Sequence, residues 1–313
     1  EIMPSLVGSE MCIRDREYPL LDRNFPTVSH DAPLALTDAE NELMSVLENS
    51  FMHSERLNAH IRFLYSKGSM YKAMNGNLLF HGCIPLDEEG RLQSVTIAGA
   101  DYSGKALLDK LDEIANRAYF IQPGAEKDYA ADYMWYLWSG ARSPLYGKDK
   151  MAFFERYFLA DRELQKENYN AYYHYSEQAE VCGRILEMFG LDPEKGHIIN
   201  GHVPVKIKNG EKPVKAGGRL FVIDGGISKA YQKATGIAGY TLIYDSHSLN
   251  LAEHRPFIAG ESEHTPEIHL VERLDRRANI SDTDKGAELL EQINDLRELL
   301  RAYRSGEIKE SGR

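Results

Sequence analysis

Three short apolar runs set the strongest limit on how this chain can fold. Leu78-Leu79-Phe80 runs into His81-Gly82, Ile198-Ile199 into Asn200-Gly201-His202, and Leu220–Ile223 into Asp224-Gly225-Gly226. Runs of this kind, short, rich in branched residues and closed by glycine, read as buried strands. Each delivers a polar residue able to bind a metal at its end, and in open α/β sheets sites gather at the carboxyl ends of strands. The neighbouring glycines would let a ligand approach the backbone closely. One histidine beside a glycine is ordinarily only a turn residue; three strand-end polar groups together point to a site.

The 313 residues suffice for one large or two ordinary domains. The net charge of −11 (37 basic against 48 acidic residues) argues against nucleic acid or an anionic membrane as the main partner, while leaving room for a local basic pocket for phosphate. No apolar run approaches the ~20 residues of a membrane span. The three cysteines, Cys12, Cys83 and Cys182, are odd in number and lack CxxC spacing, which favours a reducing, cytoplasmic setting.

The first sixteen residues, EIMPSLVGSEMCIRDR, have no periodicity and no signal-peptide anatomy. They resemble a translated sequencing adapter, so residues 1–16 are expected to be a non-native leader. The natural sequence would then begin near Glu17, as the back part of a longer protein.

Residues 19–37 read as an irregular connector. Thr37 and Glu40 form a capping-box pattern that opens a helix carrying Leu43, Val46, Leu47 and Phe51, and a second helix runs from about Ser54 to Tyr65. Asn75-Gly76 is a strong turn signal before the His81 strand. Val95–Ala98 reads as a strand and Lys105–Phe120 as a helix. Asp128–Leu145 holds Trp135 and Trp138 and reads as an aromatic helix packed in a core or against a neighbour, more readily than as a stacking platform for a ligand. Met151–Ala160 and Ser176–Gly190 read as helices, Tyr240–Tyr244 and about Ser248–Ala252 as paired strands, and Glu261–Glu267 as a polar loop. Asp282–Tyr303 is a terminal amphipathic helix striped by Leu289, Ile293, Leu296, Leu300 and Tyr303, of the kind that ordinarily packs on its own domain.

Two stretches imitate other chemistries. Gly99–Ala106 follows a strand and opens a helix like a Walker A loop, but Ala106 has no hydroxyl for magnesium where the motif needs Ser or Thr. A P-loop nucleotide-binding protein is therefore the runner-up reading. Asp245-Ser246-His247 imitates a metal-binding Asp-x-His, but it follows every other candidate in the chain and reads as a hairpin turn.

Taken together, NGNLLFHGCIPLD (75–87), YSGKALLDK (102–110), RSPLYGKDKM (142–151), the long stretch from Asn200 to Tyr244 and the terminal DLRELLRAYRSG resemble class III fructose-1,6-bisphosphatase. That family is built on the calcineurin-like metallophosphoesterase fold. The resemblance covers roughly Glu17 to the end, about the C-terminal half of the usual family chain.

It implies an α/β protein: part of a sandwich of β-sheets flanked by helices, with a helical insertion and a C-terminal helix. Residues 17–100 would be phosphatase core with the His81 strand, 101–195 the helical insertion, 196–260 strand-rich core with the GHVP motif, and 261–313 a tail ending in the amphipathic helix. The implied reaction is hydrolysis of the 1-phosphate of fructose 1,6-bisphosphate at two divalent ions, usually manganese. His81 and His202 resemble ligands of the second metal, and Gly201 and Asp224 would shape the site.

The family's upstream Asp-x-His, Gly-Asp-x-x-Asp-Arg-Gly and Gly-Asn-His motifs have no counterpart before His81. The general-acid histidine is therefore absent, no catalytic residue is assigned, and the chain alone is expected to be inactive. Implied partners are a sugar bisphosphate and the missing N-terminal half or other subunits of a homo-oligomer. A non-catalytic docking half of a larger assembly is the remaining alternative.

Overall fold

The computed structural model describes residues 19–226, 228–237, 239–255 and 265–308. The expected leader, 1–16, and residues 261–264 of the expected loop lie outside the described residues. In chain order the helices are α1 (Asp38–Met52), α2 (Glu55–Lys67), α3 (Gly104–Phe120), α4 (Ala125–Ser139), α5 (Phe153–Phe158), α6 (Tyr172–Tyr175), α7 (Ala179–Met188), α8 (Lys229–Thr235) and α9 (Asp284–Ser305). The strands are β1 (Tyr71–Met74), β2 (Asn77–Phe80), β3 (Val95–Ile97), β4 (Ala100–Tyr102), β5 (His197–Asn200), β6 (Val214–Lys215), β7 (Leu220–Val222), β8 (Gly239–Tyr244), β9 (Ser248–His254) and β10 (Glu267–Arg273). Helices and mixed sheets make the protein α/β. They fall into two compact units, one of Glu1–Met70 with Gln93–Asn170, the other of Tyr71–Leu92 with Ala171–Arg313. The boundary divides the helical block expected at 101–195, because the stretch from Ala171 onward belongs with the sheet.

In the second unit a five-stranded sheet has the order β1-β2-β5-β7-β6. Its three central strands, β2, β5 and β7, are parallel, and the outer two pair antiparallel. The central strands are the three apolar runs that end at His81, Asn200 and Asp224. Leu78, Ile198 and Phe221 are wholly buried, as strands covered on both faces must be. The β1–β2 hairpin turns on Asn75 (φ +51°) and Gly76 (φ +77°), a two-residue loop with both φ angles positive, which is the chemistry of Asn-Gly. Strands β1 and β6 escape the sequence reading because β1 is largely exposed and β6 is two residues long. A second, antiparallel sheet has the order β10-β9-β8. The β8–β9 turn is closed by Asp245 Oδ1, which accepts from the backbone N–H of His247 (2.7 Å) and Ser248 (2.8 Å). Asp245 is thus spent on the hairpin.

In the first unit, Thr37 and Glu40 complete the capping box: Thr37 Oγ1 accepts from Glu40 N at 3.3 Å, and Glu40 accepts from Thr37 N at 2.7 Å. The helices form as expected, yet neither α1 nor α2 buries a residue, and Leu43, Val46, Leu47 and Phe51 are exposed. Helix α3 does bury its stripe of Leu107, Leu108, Leu111 and Ile114. Of the two packings expected for the aromatic helix, core or neighbour, it takes the second, against α3. α4 buries only Ala130 and Leu137, while Trp135 and Trp138 are 67% and 55% exposed and meet each other edge to face at 4.9 Å. Residues 130 and 137 lie seven apart, on one stripe two turns long, and both indoles stand off to one side of it. Of the expected helix Met151–Ala160 only Phe153–Phe158 is helical. Glu167 is the polar centre of this unit: its carboxylate takes Lys148 Nζ at 2.6 Å, Arg156 at 3.2 Å and the N–H of Ala152 at 3.0 Å.

The Walker-like stretch follows strand β3 and opens helix α3, but its first half is the return of a β-hairpin. Ala98 (φ +50°) and Gly99 (φ +82°) turn β3 into β4, so Gly99 serves the turn. Lys105 points along its own helix to Asp109, at 2.6 Å.

Candidate functional site

The carboxyl ends of the three parallel strands are laced together by backbone bonds. Gly201 N donates to His81 O (3.0 Å), continuing the β2–β5 ladder, and Ile223 N donates to Asn200 O (3.0 Å). The structure thereby brings His81, Gly201, His202 and Asp224 to one sheet edge. Immediately after β5 the chain reverses on His202, whose φ is +66°, while Val203 N donates to Gly201 O at 2.8 Å. That is a γ-turn of the strained hand, held by a residue with a β-carbon. It directs the His202 ring at His81: Nε2 of His81 lies 3.1 Å from Nδ1 of His202, with ring centroids 5.0 Å apart and planes at 76°. Backbone strain of this kind gathers at functional sites.

Asp224 is turned inward on its own loop. Its Oδ1 accepts from Gly226 N (2.9 Å) and its carbonyl from Val205 N (2.8 Å), tying the segment after His202 to the end of β7. A Cβ placed on Gly201 would meet Asp224 Cβ at 3.6 Å, an ordinary contact, so space does not demand glycine there. It does at Gly225, where a Cβ would come within 2.6 Å of the Gly239 Cα.

The two facing nitrogens fit one divalent ion. Metal–imidazole bonds of ~2.1 Å at a right angle place the nitrogens ~3.0 Å apart, close to what is seen. An ion would take an unprotonated lone pair from each ring, whereas an N–H···N hydrogen bond takes one. The pair would fill only two positions of a coordination sphere: among the described residues, no group of three or more His, Cys, Asp or Glu side chains could hold a metal.

Sequence reasoning missed what lies beneath the pair. Asn200 is 4% exposed, and its Nδ2 donates to the hydroxyl of the fully buried Tyr172 (3.0 Å) and to Gly82 O (3.3 Å). The Tyr172 ring also packs edge-on against Phe80 at 5.8 Å. One tyrosine therefore braces the residue before His81 and the residue two before His202. Its only sequence trace is the tyrosine-dense stretch 169–175, in which nothing distinguishes the inward ring. Burial holds the Tyr172 hydroxyl well above its ordinary pKa, and it pushes the thiols of Cys83 and Cys182 up to about 12 and about 11. Neither cysteine is a thiolate nucleophile at neutral pH.

Fold and site define an α/β protein with paired imidazoles at the carboxyl ends of parallel strands. The chain belongs to the Firmicute fructose-1,6-bisphosphatase family, whose model it matches over residues 7–305. It is 50% identical over 307 residues to "Fructose-1,6-bisphosphatase class 3" of Clostridium botulinum (strain Langeland), covering 96% of this chain and 46% of that protein. With the protein of the same name from the Alaska E43 strain, the identity is 52% over 301 residues, covering 94% and 46%. The chain thus spans about half the length of the curated relatives it matches. No solved structure matches it. No helix among the described residues is long and apolar enough to cross a membrane.

Proposed function

We propose that this chain provides one side of a cytoplasmic, manganese-dependent phosphatase that converts fructose 1,6-bisphosphate to fructose 6-phosphate and phosphate. The matched relatives carry that enzyme's name, and the strand-end arrangement suits a calcineurin-like metallophosphoesterase sandwich. One observation carries the reading: two imidazole nitrogens 3.1 Å apart, on separate strand ends. His81 Nε2 and His202 Nδ1 would hold one divalent ion. When bound, such ions lower the pKa of water and offset charge building on phosphate oxygens. The chain's own residues fix the geometry. The Asn200–Tyr172 bond holds the root of the γ-turn, the turn aims His202, and Asp224 pins the loop that follows. With two protein ligands the site is weak, since catalytic metal sites ordinarily have three. The remaining ligands and the general acid would come from outside these residues, and the chain alone is expected to be inactive.

Paramagnetic broadening by Mn²⁺ of the ¹H–¹⁵N imidazole signals tests this on the 313-residue chain. His81 and His202 should broaden first, and His81→Ala should weaken the effect at His202 about tenfold or more. Broadening that spares both rings would remove them from the site. Robust phosphatase turnover by this chain would refute its dependence on outside ligands.

A further inference from the structure

Helix α9 is attached at its beginning and bare thereafter. Asn75 and Asp284 exchange hydrogen bonds (2.7 and 3.0 Å), and a Cβ on Gly286 would collide with the Ile280 carbonyl. From Ala287 to Ser305 every residue except Ala302 is exposed. The helix has 22 residues and so extends ~33 Å. Most helical stability in proteins comes from packing an apolar face, and here that face is uncovered.

The face has a particular form. Leu289, Ile293, Leu296, Leu300 and Tyr303 follow each other at intervals of four, three, four and three. This is the heptad seam that packs against another helix of the same kind. With Leu290 and Leu299 it presents seven large side chains, each 41–63% exposed. Their exposed area is about 600 Å² a copy, so two copies can bury at most ~1,200 Å², the lower edge of specific protein interfaces. Charge sets the direction. The first half carries Asp284, Glu288 and Glu291 against Lys285, while the second carries Arg297, Arg301 and Arg304 against Asp295 and Glu298. Running two copies antiparallel lays the acidic half of each on the basic half of the other and opposes their dipoles favourably.

We propose that α9 is an interaction surface for a second copy of this chain, paired antiparallel about a two-fold axis that sets Ile293 against Leu296 of the second copy and Leu289 against Leu300. Such an isologous contact closes at two subunits. Sedimentation equilibrium of the 313-residue chain at ~100 μM should give a dimer. Leu296→Glu should convert it to a monomer, loosening the dissociation constant at least about a hundredfold, equivalent to ~2.7 kcal/mol. The circular dichroism spectrum should lose no more than the signal of α9, because residue 296 is exposed and lies outside the core. A monomeric parent chain, or a dimer that survives Leu296→Glu, overturns the proposal. Direction is read by oxidation in a Cys12→Ser background, where the buried Cys83 and Cys182 stay silent. Chains carrying Leu289→Cys should cross-link to chains carrying Leu300→Cys and not to one another. Cross-linking of Leu289→Cys with itself would overturn the antiparallel pairing.

Discussion

The five-stranded sheet and helix α9 spend similar apolar side chains in opposite ways. In the sheet, Leu78, Ile198 and Phe221 are sealed from water. In α9, Leu296 and Leu300 stand 63% and 48% exposed, on a helix whose caps and spacing are as well formed as any in the chain. Helices α1 and α2 share that condition. A regular apolar pattern therefore guarantees an element but not its burial. Where the backbone hydrogen bonds are internal, as in a helix, the element can form with its face uncovered. The parallel central strands differ: their bonds are completed only by neighbouring strands, and such sheets are ordinarily covered on both faces.

The comparison predicts unequal costs for equal surgery. Phe221→Ala should destabilise the protein by about 3–5 kcal/mol in a denaturant melt, as a large deletion from a closed core does. Leu300→Ala, measured at concentrations too low for association, should cost no more than about 0.5 kcal/mol. If the two proved alike, α9 would be packed on its own unit and the contrast would fail.

Between these extremes lies Glu167, half-buried among cations in the other unit. Burial raises its pKa, but the Lys148 hydrogen bond, the Ala152 N–H and the charges of Lys148 and Arg156 outweigh that and leave it below its ordinary 4.5. A carboxylate with a depressed folded pKa contributes stability that is present above about 4.5 and lost as pH falls through the lower folded value. Glu167→Gln should cost about 1–3 kcal/mol at pH 7. It should also flatten the acid limb of the stability–pH profile, and an unchanged limb would show that another carboxylate governs it.

A smaller effect of opposite sign is expected at the site. His202 holds a left-handed φ of +66°, so His202→Gly should stabilise the fold by up to about 1 kcal/mol while abolishing Mn²⁺ broadening at His81. A loss of stability instead would mean that the imidazole contributes to the fold through its contacts.

Much of the candidate site is legible in the sequence because its parts are strand ends. Apolar runs closed by His81-Gly82, Gly201-His202 and Asp224-Gly225 announce where chain leaves the core, and parallel strands bring such points to one edge. The carboxylate of Asp224 is another matter. It is expected to shape the site, and the structure directs Oδ1 to Gly226 N, a bond within its own loop. The indoles of Trp135 and Trp138 suited a core or a neighbouring element. Which side of α4 faces inward depends on α3, and that choice falls to the small Ala130 and to Leu137.

By itself the sequence determined what depends on near neighbours: the Thr37 capping box, the Asn75-Gly76 turn, the strand runs and their glycine stops, and the heptad spacing of α9. These are short-range hydrogen bonds, φ preferences and periodicities, written within a few residues. Tertiary structure alone decided what joins distant residues: the 3.1 Å meeting of His81 with His202, the Tyr172–Asn200 brace beneath them, the carbonyl–amide lacing of three strand ends, and which apolar faces were sealed. The histidines lie 121 positions apart, and their meeting depends on the parallel register of β2 and β5 and on one strained turn, neither of which any local stretch encodes.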